Sequence, residues 1–444
     1  MIIRILKLPP YCRPEEVSSS HLSRNLNDAY KEAGFITQIY CPTPTRGIPL
    51  QVREQYKKIK YEECLDGHLI IHRFSMFREG KNSILRAARY ILVNIIQYFK
   101  GIHVSDIDVI WAQSTPPTQG FLCALVKKRL KVPYVYNLQD IFPDSLVGTG
   151  LAKKGGLLWK IGRRIENFTY KYADKIIVIS EDFKKNIMAK GVPEEKIIVI
   201  YNWVDQNAVV DIPREENKLF DKYGLDRSKF YVTYNGNIGL TQNMDMLLAV
   251  AEDMKLRGER LEIRELLSED EQNELNMYKD IQFVLVGNGA YLEQVKQIVA
   301  DRELNNIHLL PFQPYEDISH VFSLGDVSLV ISKPGVGANS VPSKTWSIMS
   351  ASRPVLANFD PNELKDILNG THPFSVNGER CGIFTEAGDK VAFTDAIIQL
   401  YKDRDLCKKY GENGRHFVMA NLTREVGTQK YVDVIKSVAA EGRG

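Results

Sequence analysis

Three segments in the second half of the chain combine residue types suited to binding phosphate. Gly236-Asn237-Ile238-Gly239 follows the apolar run 230–235 and precedes the helix-like stretch 243–253. Glycines there permit a tight turn and let a ligand approach the backbone, while a helix N-terminus offers N–H groups to an anion. Gly287-Asn288-Gly289 repeats the arrangement after the run 281–286. The third segment, 333–353, reads KPGVGANSVPSKTWSIMSASR. Pro342 suits a first helical position and Ser340 suits its cap, which puts Lys344 in a first turn. The helix dipole disfavours a cation there, so a lysine in that turn makes sense beside a bound anion. Ser343 and Lys344 are therefore candidates for a diphosphate, and Lys333, just before the glycine-bearing loop 335–337, offers a second positive charge. An ordinary βα turn and a solvated lysine are the bland alternatives for these features.

In the first half, Asp140 stands in QDIFPD after the run 132–138. A carboxylate at the end of a parallel strand is placed for acid/base work, and a helix cap is the alternative role. The loop 9–20, PPYCRPEEVSSS, also leaves a strand. Arg13, Glu15, Glu16 and Ser18 to Ser20 make it polar enough to contact an acceptor; Ser18 and Ser19 are the hydroxyl candidates. Two D-x-D triplets, Asp106-Ile107-Asp108 and Asp403-Arg404-Asp405, lie before a strand and in a charged helical stretch, and are read as structural. No Cys/His cluster has zinc spacing, and the six cysteines include no C-x-x-C pair. The P-loop and nucleophile-elbow motifs are missing as well.

These residues need elements to hold them. Short Val- and Ile-rich runs recur at 2–8, 35–41, 69–74, 108–112, 132–138, 175–179 and 197–201, and again at 230–235, 281–286, 307–310, 326–331, 354–358 and 381–384. Apolar on both faces and separated by helix-length segments, they predict parallel sheets covered by helices. The polar stretch 202–229 divides the two sets. The expected architecture is α/β, with two Rossmann-like doubly wound domains facing a cleft. The first spans 1–205 and the second 206–412, with a charged, solvated helical insertion at 255–280. A C-terminal helical segment, 413–444, packs back toward the first domain. At about 150 residues per domain, the length of 444 is compatible with this division.

Lys plus Arg total 58 against 55 Asp plus Glu, which argues against a nucleic-acid-binding field. Residues 83–99 form a wide apolar face with Arg86, Arg89 and Gln97 on its polar side. Such a segment is too short and charged to span a bilayer, and it fits either a membrane interface or a buried core.

Seven blocks carry a resemblance: LKLPPYCRPEEVSSSHLSRNL, YNLQDIFPDSLVGTGL, ENFTYKYADKIIVIS, IVIYNWVD, YNGNIGLTQNMDMLL, FVLVGNGAYLEQV and VPSKTWSIMSASRPVLA. In order and spacing the sequence resembles family 4 glycosyltransferases of the GT-B fold. It is similar to bacterial capsule, O-antigen and colanic-acid enzymes of the L-fucosamine transferase type. The resemblance implies a hexosyltransferase-type enzyme that takes a sugar from a nucleotide diphosphate donor, with no metal or other cofactor. The acceptor it implies is a lipid-linked glycan, at the cytoplasmic face of a membrane. By the same match, Gly236, Asn237, Gly239 and Gln242 form the first donor loop, Gly287, Asn288 and Gly289 the nucleotide loop, and Pro342, Ser343 and Lys344 a phosphate block. Asp140 takes the acidic position toward the acceptor. Two positions where many members carry glutamates fall on Asn339 and Ser347. A nucleotide-sugar epimerase and a non-catalytic nucleotide-sugar-binding partner are the alternative readings.

Overall fold

The computed structural model describes residues 2–15, 20–80, 83–148, 152–264, 266–337 and 341–442. The chain forms two compact units: Met1–Asn202 with Glu425–Gly444, and Trp203–Arg424.

The first unit is built on eight strands: β1 (Arg4–Lys7), β2 (Ile36–Pro42), β3 (Tyr61–Cys64), β4 (Leu69–Phe74), β5 (Val109–Gln113), β6 (Tyr134–Leu138), β7 (Lys175–Val178) and β8 (Ile197–Val199). Their order is β3-β4-β2-β1-β5-β6-β7-β8. All are parallel except β3, which pairs antiparallel with β4. β3 is the one strand without a counterpart among the expected runs. Its sequence, YEEC, is acidic and only partly covered at the sheet edge, where a charged edge discourages further pairing. The interior strands are buried on both faces, as their Val/Ile content requires.

The second unit holds β9 (Phe230–Asn237), β10 (Ile281–Asn288), β11 (Ile307–Leu310), β12 (Val327–Ile331), β13 (Val355–Phe359) and β14 (Gly382–Glu386), all parallel, in the order β11-β10-β9-β12-β13-β14. Each sheet therefore reverses its strand order once, between β1 and β5 and between β9 and β12. In doubly wound sheets, ligands bind beyond the strand ends at that reversal.

Two expectations about the helices need correction. Residues 255–262 simply continue the helix Met244–Glu262, and only Glu269–Asp280 is a separate helix. That helix is opened by a Ser268/Glu271 capping box. It also buries Leu275, Met277 and Tyr278, so the segment is anchored to the core rather than wholly solvated. The closing segment does not begin at 413. The helix Arg404–Asn421 runs through that position inside the second unit, with Phe417 stacked on Trp346. Only Glu425–Gly444, mostly the helix Arg424–Glu441, belongs to the first unit.

Candidate functional site

β9 and β10 run two residues further than their apolar cores, through Gly236-Asn237 and Gly287-Asn288. The pairs lie side by side, Gly287 opposite Gly236 and Asn288 opposite Asn237. Glycine makes this possible. A β-carbon on Gly287 would stand 1.9 Å from the Gly236 carbonyl oxygen. Gly236 itself has φ 135°, a conformation that side chains disfavour. Beyond the strand ends the two turns are stitched together. The Ile238 N–H donates to the Asn288 carbonyl and the Tyr291 N–H to the Ile238 carbonyl, each at 2.9 Å. Gln242 Oε1 accepts from the Gly239 N–H at 3.1 Å and from Asn237 Nδ2 at 3.4 Å. The Gly289 N–H donates to Asn288 Oδ1 at 2.8 Å. The two glycine-bearing turns, separate in sequence, are thus one surface on the β9 side of the reversal of the second sheet.

Both candidate lysines reach this surface. The Lys333 N–H donates to the Thr241 carbonyl at 2.8 Å. Its ammonium lies 3.9 Å from Asp245, so its charge is partly compensated. Lys344 is different. Its stem passes over Gly236, where an added β-carbon would be 4.0 Å from Cδ. Its ammonium rests 3.7 Å from the Tyr234 ring centroid. Among the described residues it makes no ion pair. Burial without a counter-charge lowers its pKa to about 7. The ring face offers some compensation, and the Tyr234 hydroxyl is held by donating to the Asn237 carbonyl at 2.7 Å.

Pro342 is not the first helical residue. The helix Lys344–Ser350 starts two residues later, and Ser343 precedes it without a side-chain capping bond. Ser340 and Asn339 lie outside the described residues. The loop before them has an anchor that the sequence did not reveal. Asp360, after β13, accepts from the Gly335 and Gly337 N–H groups at 2.9 and 2.7 Å. Asn362 adds a bond to the Gly337 carbonyl at 3.1 Å. A polar turn after a strand carries no local sign of such a long-range partner.

In the first unit, Asp140 lies exposed just past β6. Ser114, just past β5, fixes its backbone: Ser114 Oγ accepts from the Gln139 and Asp140 N–H groups at 2.9 and 3.1 Å. Although the residue is exposed, desolvation of its carboxyl by the surrounding chain raises its pKa above the usual range. Bonds to Ser145 and the Ile141 N–H oppose the rise. A carboxylate with raised pKa is the better proton acceptor.

The loop 9–20 differs from expectation at Glu15. That residue is 4% exposed, and its Oε1 accepts from the Thr45 and Arg46 N–H groups at 2.7 and 2.8 Å. Glu15 holds a neighbouring loop and is not offered to an acceptor. Burial raises its pKa in spite of those amides. Arg13 stays half exposed, 3.3 Å from Cys64 Sγ and 3.7 Å from Glu62. Ser18 and Ser19 lie outside the described residues, as does Glu16. Sequence reasoning also missed Lys7 at the end of β1. Its buried ammonium donates to Asn27 at 2.8 Å and lies 4.8 Å from the ring centroids of both Tyr30 and Trp111. Desolvation pushes its pKa down to about 7.

Both D-x-D triplets serve local structure. Asp108 accepts from the Arg4 N–H at 2.8 Å and Asp403 caps the helix Arg404–Asn421. Among the described residues, no three His, Cys, Asp or Glu side chains cluster as a metal site, and no helix is long and apolar enough to cross a membrane.

Residues 21–208 match the family described as Glycosyltransferase Family 4, and residues 215–417 match Glycosyl transferases group 1. A probable glycosyltransferase, WbjE of Pseudomonas aeruginosa, is 24% identical over 76% of this chain and 76% of its own. A putative colanic acid biosynthesis glycosyl transferase, WcaI of Escherichia coli, is 26% identical over 49% of this chain and 48% of its own. Among solved structures, HepE of Anabaena in complex with UDP and glucose superposes with a TM-score of 0.66. That likeness covers 98% of this chain and 100% of HepE at 16% identity.

Proposed function

This chain belongs to the glycosyltransferases, with a Family 4 part followed by a group 1 part, and from that premise we propose that it moves a sugar from a nucleotide diphosphate to a lipid-linked glycan. The setting we assign is capsule, O-antigen or exopolysaccharide assembly at the cytoplasmic face of a membrane. A relative named for colanic acid biosynthesis supports the setting, and a structural neighbour bound to UDP supports the donor class.

The observation that carries the reading is Lys344, a cation that has no counter-charge among the described residues and lies beside the paired glycine turns. A diphosphate would supply that charge. In the proposed reaction the bond from the sugar's anomeric carbon to the diphosphate oxygen breaks, and Lys344 and Lys333 stabilise the charge left on the diphosphate. Gly236, Asn237, Gly239, Gln242, Gly287, Asn288 and Gly289 shape the surface against which the nucleotide lies. Asp140 takes the proton from the acceptor hydroxyl as that oxygen bonds to the anomeric carbon. The reading uses no metal ion.

Calorimetry with UDP tests it. Lys344→Ala should weaken binding by roughly 10- to 100-fold, the range of a lost charge-assisted hydrogen bond. Unchanged affinity would remove Lys344 from the donor site. Asn339 and Ser347 stand where many similar enzymes carry glutamates, which favours a nucleotide-binding partner as the second reading. UDP binding without transfer to any supplied glycan would select that one.

A further inference from the structure

The helix Ser83–Gly101 is turned opposite to its polarity. Arg89 and Gln97, two of the three residues on its polar side, are fully buried. Leu85, Ile91, Leu92, Ile95 and Phe99 are between 41% and 60% exposed. The inward polar groups fix this orientation. Gln97 Nε2 donates to the Pro9 and Tyr40 carbonyls at 2.8 and 2.9 Å. Arg89 donates to the Phe77 carbonyl at 3.1 Å and lies 3.8 Å from Glu79. Turning the helix over would bury its apolar side and strip these groups of their partners, which is costly. The apolar side is therefore held outward.

It has company. The helix Thr118–Leu130 packs against Ser83–Gly101 and also against Leu157–Tyr172. The latter helix exposes Leu157, Leu158 and Ile161. Across these three helices the only acidic residue is Glu166. It is buried and bound by Arg163, Tyr170 and Lys190. Exposed cations are spread over all three: Arg86 and Lys100, Lys128 and Arg129, Lys160 and Arg164. In a chain with 58 basic and 55 acidic residues, a helical layer without one exposed carboxylate is a marked asymmetry.

We propose that this layer docks on an anionic phospholipid surface. The leucines, isoleucines and Phe99 would enter the headgroup boundary while the cations meet lipid phosphates. The same helix would hold, through Gln97, the loop that begins at Pro9. The inference deepens the proposed function by naming the surface from which a lipid-linked acceptor would come. It is tested without donor or acceptor, so either reading can fail alone.

The experiment is co-sedimentation of the full chain with vesicles of phosphatidylcholine, with and without one-third phosphatidylglycerol. Binding is expected to the anionic vesicles only, and to fall as salt rises. The double change Lys160→Glu/Arg164→Glu should weaken it by about 25-fold or more, at roughly fivefold per lost charge. Ile91→Asp/Ile95→Asp should also weaken it, and UDP affinity should be unchanged in both. A readout on the unaltered protein guards against misfolded variants. Trp159 is the partly exposed tryptophan, the other three being buried, so brominated anionic lipid should quench it. A chain left in the supernatant, variants that bind as well as the parent, or an unquenched Trp159 would each overturn the proposal. So would a dimer that Ile91→Asp/Ile95→Asp dissociates, which would make this a protein interface.

Discussion

Lys344 carries the sharpest expectation at the scale of single residues. With a pKa of about 7 in the free protein, its ammonium loses its proton as the pH rises past neutrality. A bound diphosphate would raise that pKa, because opposite charge favours the protonated form. Binding is then coupled to proton uptake above pH 7. UDP affinity should be greatest below pH 7 and fall by up to about tenfold per pH unit above it. Calorimetry from pH 6 to 9 checks this, and Lys344→Ala should flatten the profile. Asp140 carries a different expectation. Asp140→Asn should lower transfer by about 100-fold or more, the scale of a lost general base, with UDP affinity intact. Full turnover in that variant, measured with a supplied glycan acceptor, would end its assigned role.

Between the elements, the register of β9 and β10 is the feature most open to a single substitution. Gly287→Ala places a methyl group 1.9 Å from the Gly236 carbonyl oxygen, and backbone cannot yield as a flexible side chain does. The variant should lose at least about 3 kcal/mol of stability together with UDP binding, as read by urea unfolding and calorimetry. The strands themselves were legible, since a parallel strand buried on both faces advertises itself by Val and Ile. The pairing of Gly236 with Gly287 was not, because register joins residues that carry no local mark of each other. Asp360 escaped for the same reason: its partners, Gly335 and Gly337, lie on another loop. Glu15 and the helix Ser83–Gly101 show a different limit. Residue type alone does not mark Glu15, Arg89 or Gln97 as inward-facing, yet all three find their hydrogen-bond partners inside. Only the fold reveals whether a polar side chain has an internal partner.

At the level of the whole molecule, the chain leaves its first unit at Asn202 and re-enters it at Glu425. The returning piece is not ornamental. Tyr431 is 1% exposed, and its hydroxyl bonds to Asn137 in β6 at 3.0 Å. Tyr431→Ala should destabilise the first unit by about 3–5 kcal/mol, the cost of emptying a large aromatic site. Tyr431→Phe should cost about 1 kcal/mol, for the bond alone. Urea unfolding reads both, and UDP affinity in buffer should stay near that of the parent if the second unit is untouched. This threading also sets a timetable for synthesis. At about 5–20 residues per second, a ribosome spends roughly 10–40 s on residues 203–424. Throughout that interval the newly made first unit waits with the Tyr431 site vacant, so its maturation follows that of a unit begun later.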